Sequence, residues 1–101
     1  MKRFSVEITK GVEKDLDDLA PYREQAVRSL LSLENNPQAG HALHGKLKEY
    51  RSLEFSLPSG VCRAIYKVLK GKRVCLIVVV GLHENIYDRA ERRVKSLKLR
   101  F

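Results

Sequence analysis

The order of apolar and polar residues along the chain predicts a first strand followed by two helices. Residues Arg3 to Ile8 alternate as a half-buried strand does. The next apolar residues recur every three or four positions, the period of amphipathic helices, and Pro21 starts the second of them. Thr9 is placed to cap the first helix, and the Asn-Asn-Pro sequence at 35–37 ends the second. The residues expected to face the core are Val12, Leu16, Leu19, Ala20, Ala26, Val27, Leu30, Leu31 and Leu33.

The second half of the chain predicts three strands and a last helix. Residues 38–49 lack periodicity and carry several basic side chains, which is typical of a loop with a basic face. Alternation over 53–57 and the segment 61–69 predict two strands joined by a turn. Residues 74–80 are apolar without alternation, so this strand is expected in the middle of the sheet. A final helix, with Asn85 as a possible cap, has an apolar stripe of Ile86, Ala90, Val94 and Leu97.

The predicted order is β-α-α-β-β-β-α, an α+β domain over residues 1–101. We expect an antiparallel-rich sheet with the N-terminal helical hairpin on one face and the other face largely open. With 44% hydrophobic and 32% charged residues, the composition is that of a soluble globular protein. The longest apolar run is far shorter than a membrane span, and no secretory leader is recognised, so a cytoplasmic location is expected.

The net charge of +8 predicts an anionic partner. Nucleic acid is the commonest polyanion in cytoplasm, an acidic protein is a second possibility, and solubility alone is a third explanation. If Lys70 pairs with Arg73 at the last turn, Cys62 falls opposite Gly81, and Cys62 and Cys75 lie roughly 20 Å apart at ~3.3 Å per residue. Both cysteines are therefore expected to be reduced core residues, and we expect neither a metal nor a cofactor.

Three polar residues interrupt or follow the most apolar strands, where packing alone does not require them. Arg63 has apolar neighbours in its strand, and its permanent charge must meet water, a phosphate or a carboxylate such as Glu54. His83 follows the central strand, and histidine suits proton transfer near neutral pH, although an ordinary loop histidine explains it too. Tyr87 lies beside the apolar stripe of the last helix. If Ser56 lies opposite Arg63, then Glu54 shares the sheet face of Arg63.

These groups fit the metal-independent cleavage of RNA. That reaction needs a base for the 2′-OH proton, cations for the phosphorane charge and an acid for the leaving 5′-oxygen. Glu54 is the candidate base, Arg63 the phosphate clamp and His83 the acid. Tyr87 would position the substrate by a hydrogen bond or by stacking. The cations expected to contact RNA are Lys46, Lys48, Arg51 and Arg89.

Several segments, in this order and spacing, resemble the RelE/ParE superfamily of toxins from toxin–antitoxin pairs. They are LEN-NP, SLEFS, GVCRAIYKV and VCLIVVVGLHENIYDRA. The resemblance implies a RelE-like fold and a ribosome-dependent endoribonuclease that cleaves mRNA in the A site and is held inactive in a complex with a cognate antitoxin. Arg63 then matches the strand arginine that contacts the scissile phosphate. His83 matches a position that is arginine in RelE and histidine in some relatives, and Tyr87 matches a tyrosine important for the reaction.

The chain departs from the RelE pattern on the second strand. RelE carries lysines where this chain has Glu54 and Ser56, so Glu54 would act as in the relatives that use a glutamate and a histidine. Two other interpretations stay open here. One is a ParE-like toxin that binds DNA gyrase and lacks the nuclease residues, and the other is a degenerate toxin that only binds antitoxin or RNA.

Overall fold

A five-stranded sheet lies at the centre of the computed structural model, which describes residues 3–82 and 85–100, with side chains as far as residue 97. The strand order is β1-β5-β4-β3-β2, and only the β1–β5 pair is parallel. The strands are β1 (Ser5–Ile8), β2 (His41–Ala42), β3 (Arg51–Leu57), β4 (Gly60–Leu69) and β5 (Val74–Leu82). The helices are α1 (Val12–Asp17), α2 (Arg23–Leu31) and α3 (Ile86–Arg100), with 3₁₀ turns at Ser32–Glu34 and Gly45–Leu47.

The predicted α+β class and element order are confirmed, with one added strand. Strand β2 lies within the segment expected to be a loop. It is too short to show a period, and the segment before it is held by Tyr66, whose hydroxyl donates to the Pro37 carbonyl (2.7 Å) and accepts from the Gly40 N–H (3.0 Å). Tertiary contacts therefore determine the position of β2, and the local sequence does not predict this strand.

Helices cover both faces of the sheet. Helices α1 and α2 bury Val12, Leu16 and Leu30 against one face, which contributes Tyr66 and Ile77. The stripe of α3 packs on the opposite face with Ile65, Val78 and Val79 and with residues of the second 3₁₀ turn. The expectation of a largely open face is therefore wrong where α3 lies, because that apolar stripe must be buried. Over the described residues, no helix combines the length and apolar character needed to cross a membrane.

The helical hairpin differs from the prediction at three residues. Helix α1 has no side-chain cap, and the Thr9 hydroxyl instead donates to the Val78 carbonyl (3.5 Å). Ala20 and Leu31 were expected to face the core, but both are exposed. The remaining hairpin residues of the predicted core are buried or half-buried.

A bulge at Val78 of β5 shifts the register that the cysteines follow. Val68 pairs with Cys75, as a turn with Lys70 opposite Arg73 requires, but the extra residue between the partners of Ile65 and Tyr66 places Cys62 opposite Leu82 and not opposite Gly81. Both cysteines are buried free thiols, as predicted.

Candidate active site

Arg63 and Glu54 form a cross-strand ion pair at the centre of the candidate site. They are direct partners in the β3–β4 register, and Arg63 Nη2 lies 2.7 Å from Glu54 Oε2. The predicted shared face is confirmed, but the predicted register, with Ser56 opposite Arg63, is wrong by two residues. Leu57 pairs with Gly60, so the turn contains only two residues, and Ser56 faces Val61.

The pairing with Glu54 leaves part of the hydrogen-bonding capacity of Arg63 unused. Its Nε–H is buried and has no acceptor among the described residues, and the same is true of the Ser52 hydroxyl, which lies two positions before Glu54 on the same face. A buried donor without an acceptor costs about 1–3 kcal/mol. The side chain as a whole is 26% exposed, so an anion would reach this permanent cation at the end of its guanidinium and not at Nε.

The chain leaves the sheet beside this pair. Arg63 is the β4 partner of Gly81, and β5 ends one residue later at Leu82. His83 and Glu84 lie outside the described residues, so the role of His83 as the acid stays a prediction. Tyr87 lies in the first turn of α3 and is 37% exposed, so the core does not require it, as predicted.

The sequence interpretation did not identify the buried carboxylate of Asp15 as a residue of this region. Its side chain is 3% exposed and accepts from the Val80 N–H (3.1 Å) and from Arg89 Nη2 (2.7 Å). Arg93 donates to both carboxylate oxygens (2.5 and 2.9 Å) and to the Val78 carbonyl (3.0 Å). These contacts join α1, β5 and α3 beside the candidate site.

Asp15 and Arg93 take the place of a neighbouring strand. Strand β1 pairs with β5 only as far as Ile77, so beyond it that edge of β5 has no strand partner within the described part of the chain. The Val80 N–H and the Val78 carbonyl on this edge are bonded by the two side chains instead. The signal in the sequence is position, because residue 15 falls on the apolar stripe of 12, 16 and 19.

Two of the four cations predicted to bind RNA have structural partners instead. Arg89 is committed to Asp15, and its Nη1 lies 3.0 Å from where a Cβ on Gly81 would stand. Arg51 is on the face opposite Arg63, and its guanidinium donates to the carbonyls of Gly40 (2.9 Å) and Gln38 (3.1 Å). The structure thus gives both arginines a role in packing, and contact with RNA remains only a prediction for them.

The other two predicted cations remain available. Lys46 and Lys48 are exposed, and neither has a carboxylate partner within the described part of the chain. Lys46 lies in the 3₁₀ turn that contacts α3, and Lys48 directly follows that turn. By contrast, Lys67 is bound to Glu49 (2.8 Å), and this hydrogen bond raises the pKa of Lys67.

The cysteines do not add a nucleophile to the site. Burial raises the pKa of the Cys62 thiol to about 11 and also raises the pKa of Cys75. A thiol attacks as the thiolate, so neither cysteine is a nucleophile near neutral pH.

The comparisons with known proteins agree with this fold. A family model described as ParE-like toxin of type II bacterial toxin-antitoxin system matches residues 5–91. No curated protein sequence matches the chain. The toxin–antitoxin complex RelBE2 of Mycobacterium tuberculosis superposes with a TM-score of 0.71 at 21% identity, over 80% of this chain and 99% of that one. A mutant of the E. coli toxin RelE in the free state gives 0.69 at 25% identity, over 93% and 99% of the two chains.

The structure of the intact E. coli RelBE toxin–antitoxin complex gives a TM-score of 0.63 at 24% identity, over 80% of this chain and 98% of the matched chain. Two of these three similar structures are thus complexes of a toxin with its antitoxin. The family model covers most of the sequence and the fold is that of RelE, so both lines of comparison lead to the same superfamily. The chain therefore belongs to the ParE-like toxins of type II bacterial toxin–antitoxin systems.

Proposed function

We propose that this toxin is a metal-independent endoribonuclease that cleaves mRNA on the translating ribosome and is restrained by its antitoxin. The observation that carries the proposal is the direct pairing of Glu54 with Arg63 at the point where β5 leaves the sheet toward His83 and Tyr87. Because a proton acceptor and a permanent cation lie 2.7 Å apart, one can act on the 2′-OH while the other binds the neighbouring phosphate of the same RNA linkage.

The chemistry is a transesterification within the RNA. Glu54 takes the proton of the 2′-OH, the 2′-oxygen forms a bond to phosphorus, and the bond from phosphorus to the 5′-oxygen breaks. His83 gives its proton to that leaving oxygen, so that the products are a 2′,3′-cyclic phosphate and a 5′-OH. The exposed phenol of Tyr87 orients the substrate.

Arg63 stabilises the charge that grows on the phosphorane oxygens. Its side chain is 26% exposed, so its charge is screened less than that of a surface arginine. Only Nη2 is bonded to Glu54, so the remaining Nη donors can bind a phosphate oxygen while Arg63 keeps the carboxylate. The same contact holds the base beside the phosphate and contributes to the orientation on which catalysis depends.

A ParE-like toxin that binds DNA gyrase without cutting RNA is the second candidate, and the ParE-like description of the family model favours it. In that case the Arg63–Glu54 pair is a cross-strand ion pair that contributes a few tenths of a kcal/mol to about 1 kcal/mol of sheet stability. The pair would then have no role in toxicity.

Primer-extension mapping of transcripts after induction without antitoxin tests the proposal. The expected result is cleavage within coding regions, reduced about 10²–10⁴-fold by Arg63→Ala and by His83→Gln. The matched control is Arg23→Ala, which breaks another ion pair (Arg23 to Asp17, 3.0 Å), in this case on the helical hairpin, and should leave cleavage unchanged. Intact transcripts together with gyrase-linked DNA breaks would support the second candidate, and full cleavage by both site variants would refute the site assignment.

A further inference from the structure

A groove of about 530 Å³ separates α3 from the 3₁₀ turn at 45–47, away from the Arg63–Glu54 pair. Its walls contain three exposed cations and one half-buried carboxylate. The lining residues are Lys46, Glu91, Arg92, Val94 and Lys95.

The cations of this groove differ from the other cations of α3. Arg89 and Arg93 are bound to Asp15, whereas no carboxylate lies within ion-pair distance of Arg92 or Lys95 among the residues that the structure describes. Lys46 is equally unpaired. Three cations against one carboxylate leave an excess of two positive charges along the groove, and the protein does not use them for its own packing.

One stripe of α3 connects Tyr87 of the candidate site with this groove. Tyr87, Glu91 and Lys95 follow one another at intervals of four residues and therefore share a stripe of the helix. Tyr87 begins this stripe beside the end of β5, and Lys95 lies about 12 Å further along at a rise of about 1.5 Å per residue. A strand bound at Tyr87 would thus lie within about 12 Å of the groove cation Lys95 along the helix axis.

We propose that this groove binds the phosphodiester backbone of the RNA strand that flanks the cleaved bond, through Lys46, Arg92 and Lys95. The identity of the ligand rests on the proposed nuclease function. The excess of positive charge favours a polyanion, and the RNA strand that the proposed reaction holds at Tyr87 is one within reach, because Tyr87 shares a helix stripe with Lys95.

The test measures binding of the full chain to a fluorescein-labelled, single-stranded 20-nucleotide RNA over a series of NaCl concentrations. The groove variant carries Lys46→Gln, Arg92→Gln and Lys95→Gln. The control variant carries Lys10→Gln, Arg28→Gln and Lys72→Gln, which remove the same charge at exposed positions without a carboxylate partner in the described structure and outside the groove. Three lost phosphate contacts should make the slope of log K against log salt shallower by about 2 and weaken binding roughly 10–100-fold near 0.1 M salt.

The proposal stands if the groove variant loses this slope and the control variant keeps it. Equal losses in both variants would show that only net charge matters, and an unchanged slope in the groove variant would show that the groove does not contact RNA. Either result overturns the proposal. Binding to polyglutamate, which imitates an acidic protein, is measured with the same variants. If the groove variant loses polyglutamate binding and keeps RNA binding, the proposal is overturned in favour of an acidic protein partner. Because binding is measured without cleavage, a groove that binds RNA in a toxin that leaves transcripts intact would refute the nuclease function alone.

Discussion

Replacing the buried Asp15 by alanine should destabilise the fold more than removing any of the exposed carboxylates of the helical hairpin. The change leaves the guanidinium groups of Arg89 and Arg93 without their carboxylate and the Val80 N–H without its acceptor. Removing one partner of a buried ion pair typically costs about 3–5 kcal/mol. The two arginine side chains are 32% and 29% exposed, so water solvates them partly and we expect the lower end, about 3 kcal/mol. At about 4–8 °C per kcal/mol for a domain of this size, the melting temperature should fall by roughly 12–24 °C.

Urea unfolding followed by far-UV circular dichroism measures this cost, with the slope against urea expected to be unchanged. Asp18→Ala is the control on the same hairpin, because Asp18 is exposed and only 3.6 Å from Lys14, a contact expected to contribute less than about 0.5 kcal/mol. Combining Asp15→Leu with Arg89→Met and Arg93→Met removes the unpaired charges together and should recover at least half of the loss. An Asp15→Ala protein within 0.5 kcal/mol of the wild type would refute this account of the cluster.

Two further predictions concern the sheet. Gly40→Ala should lower the free energy of unfolding by about 1–3 kcal/mol, because a Cβ there would stand 2.6 Å from the Ser52 carbonyl oxygen. Gly71→Ala is the control and should be nearly neutral, because a Cβ there would have nothing within 4 Å. Equal urea midpoints for the two variants would contradict this prediction. The free energy of unfolding should also fall as the pH rises from about 9 toward 11. Burial raises the pKa of the folded Cys62 thiol to about 11, whereas in the unfolded chain this thiol ionises near its ordinary pKa of 9.0. The unfolded state therefore loses its proton first and is favoured as the pH rises. Titration of urea midpoints should show a weaker decline in Cys62→Ala, and an identical decline in both proteins would exclude the thiol as its source.

The sequence predicts those elements whose burial repeats with a period. The alternation in β3 and the stripe of Ile86, Ala90 and Val94 in α3 were both sufficient. The bulge at Val78 could not be predicted, because β5 is apolar at nearly every position and offers no alternation that would reveal one extra residue. Strand β2 was not predicted for a related reason, because a strand of two residues shows no period.

The sequence predicts that Glu54 and Arg63 share one face of the sheet, but it does not predict which residues they contact. Alternation places Glu54 and Arg63 on one face for any turn of the same parity, while only the actual turn makes them direct neighbours. Charge alone did not distinguish Arg51 and Arg89, which hold the fold together, from Lys46, which has no carboxylate partner among the described residues. That distinction depends on which backbone carbonyls and carboxylates the tertiary structure brings within reach.

The position of Asp15 also determines which cations of α3 remain available to a ligand. A carboxylate on the buried stripe of α1 must be compensated, and Arg89 and Arg93, one turn apart, compensate it. At about 100° per residue, Tyr87 and Lys95 then lie roughly 200° around the helix from these arginines, on the side of the groove. A rotation of α3 by half a turn would exchange the two sets and bury the groove cations without partners. The ion pairs that fix α3 to α1 therefore also fix the direction in which its free cations face, although Asp15 touches none of them.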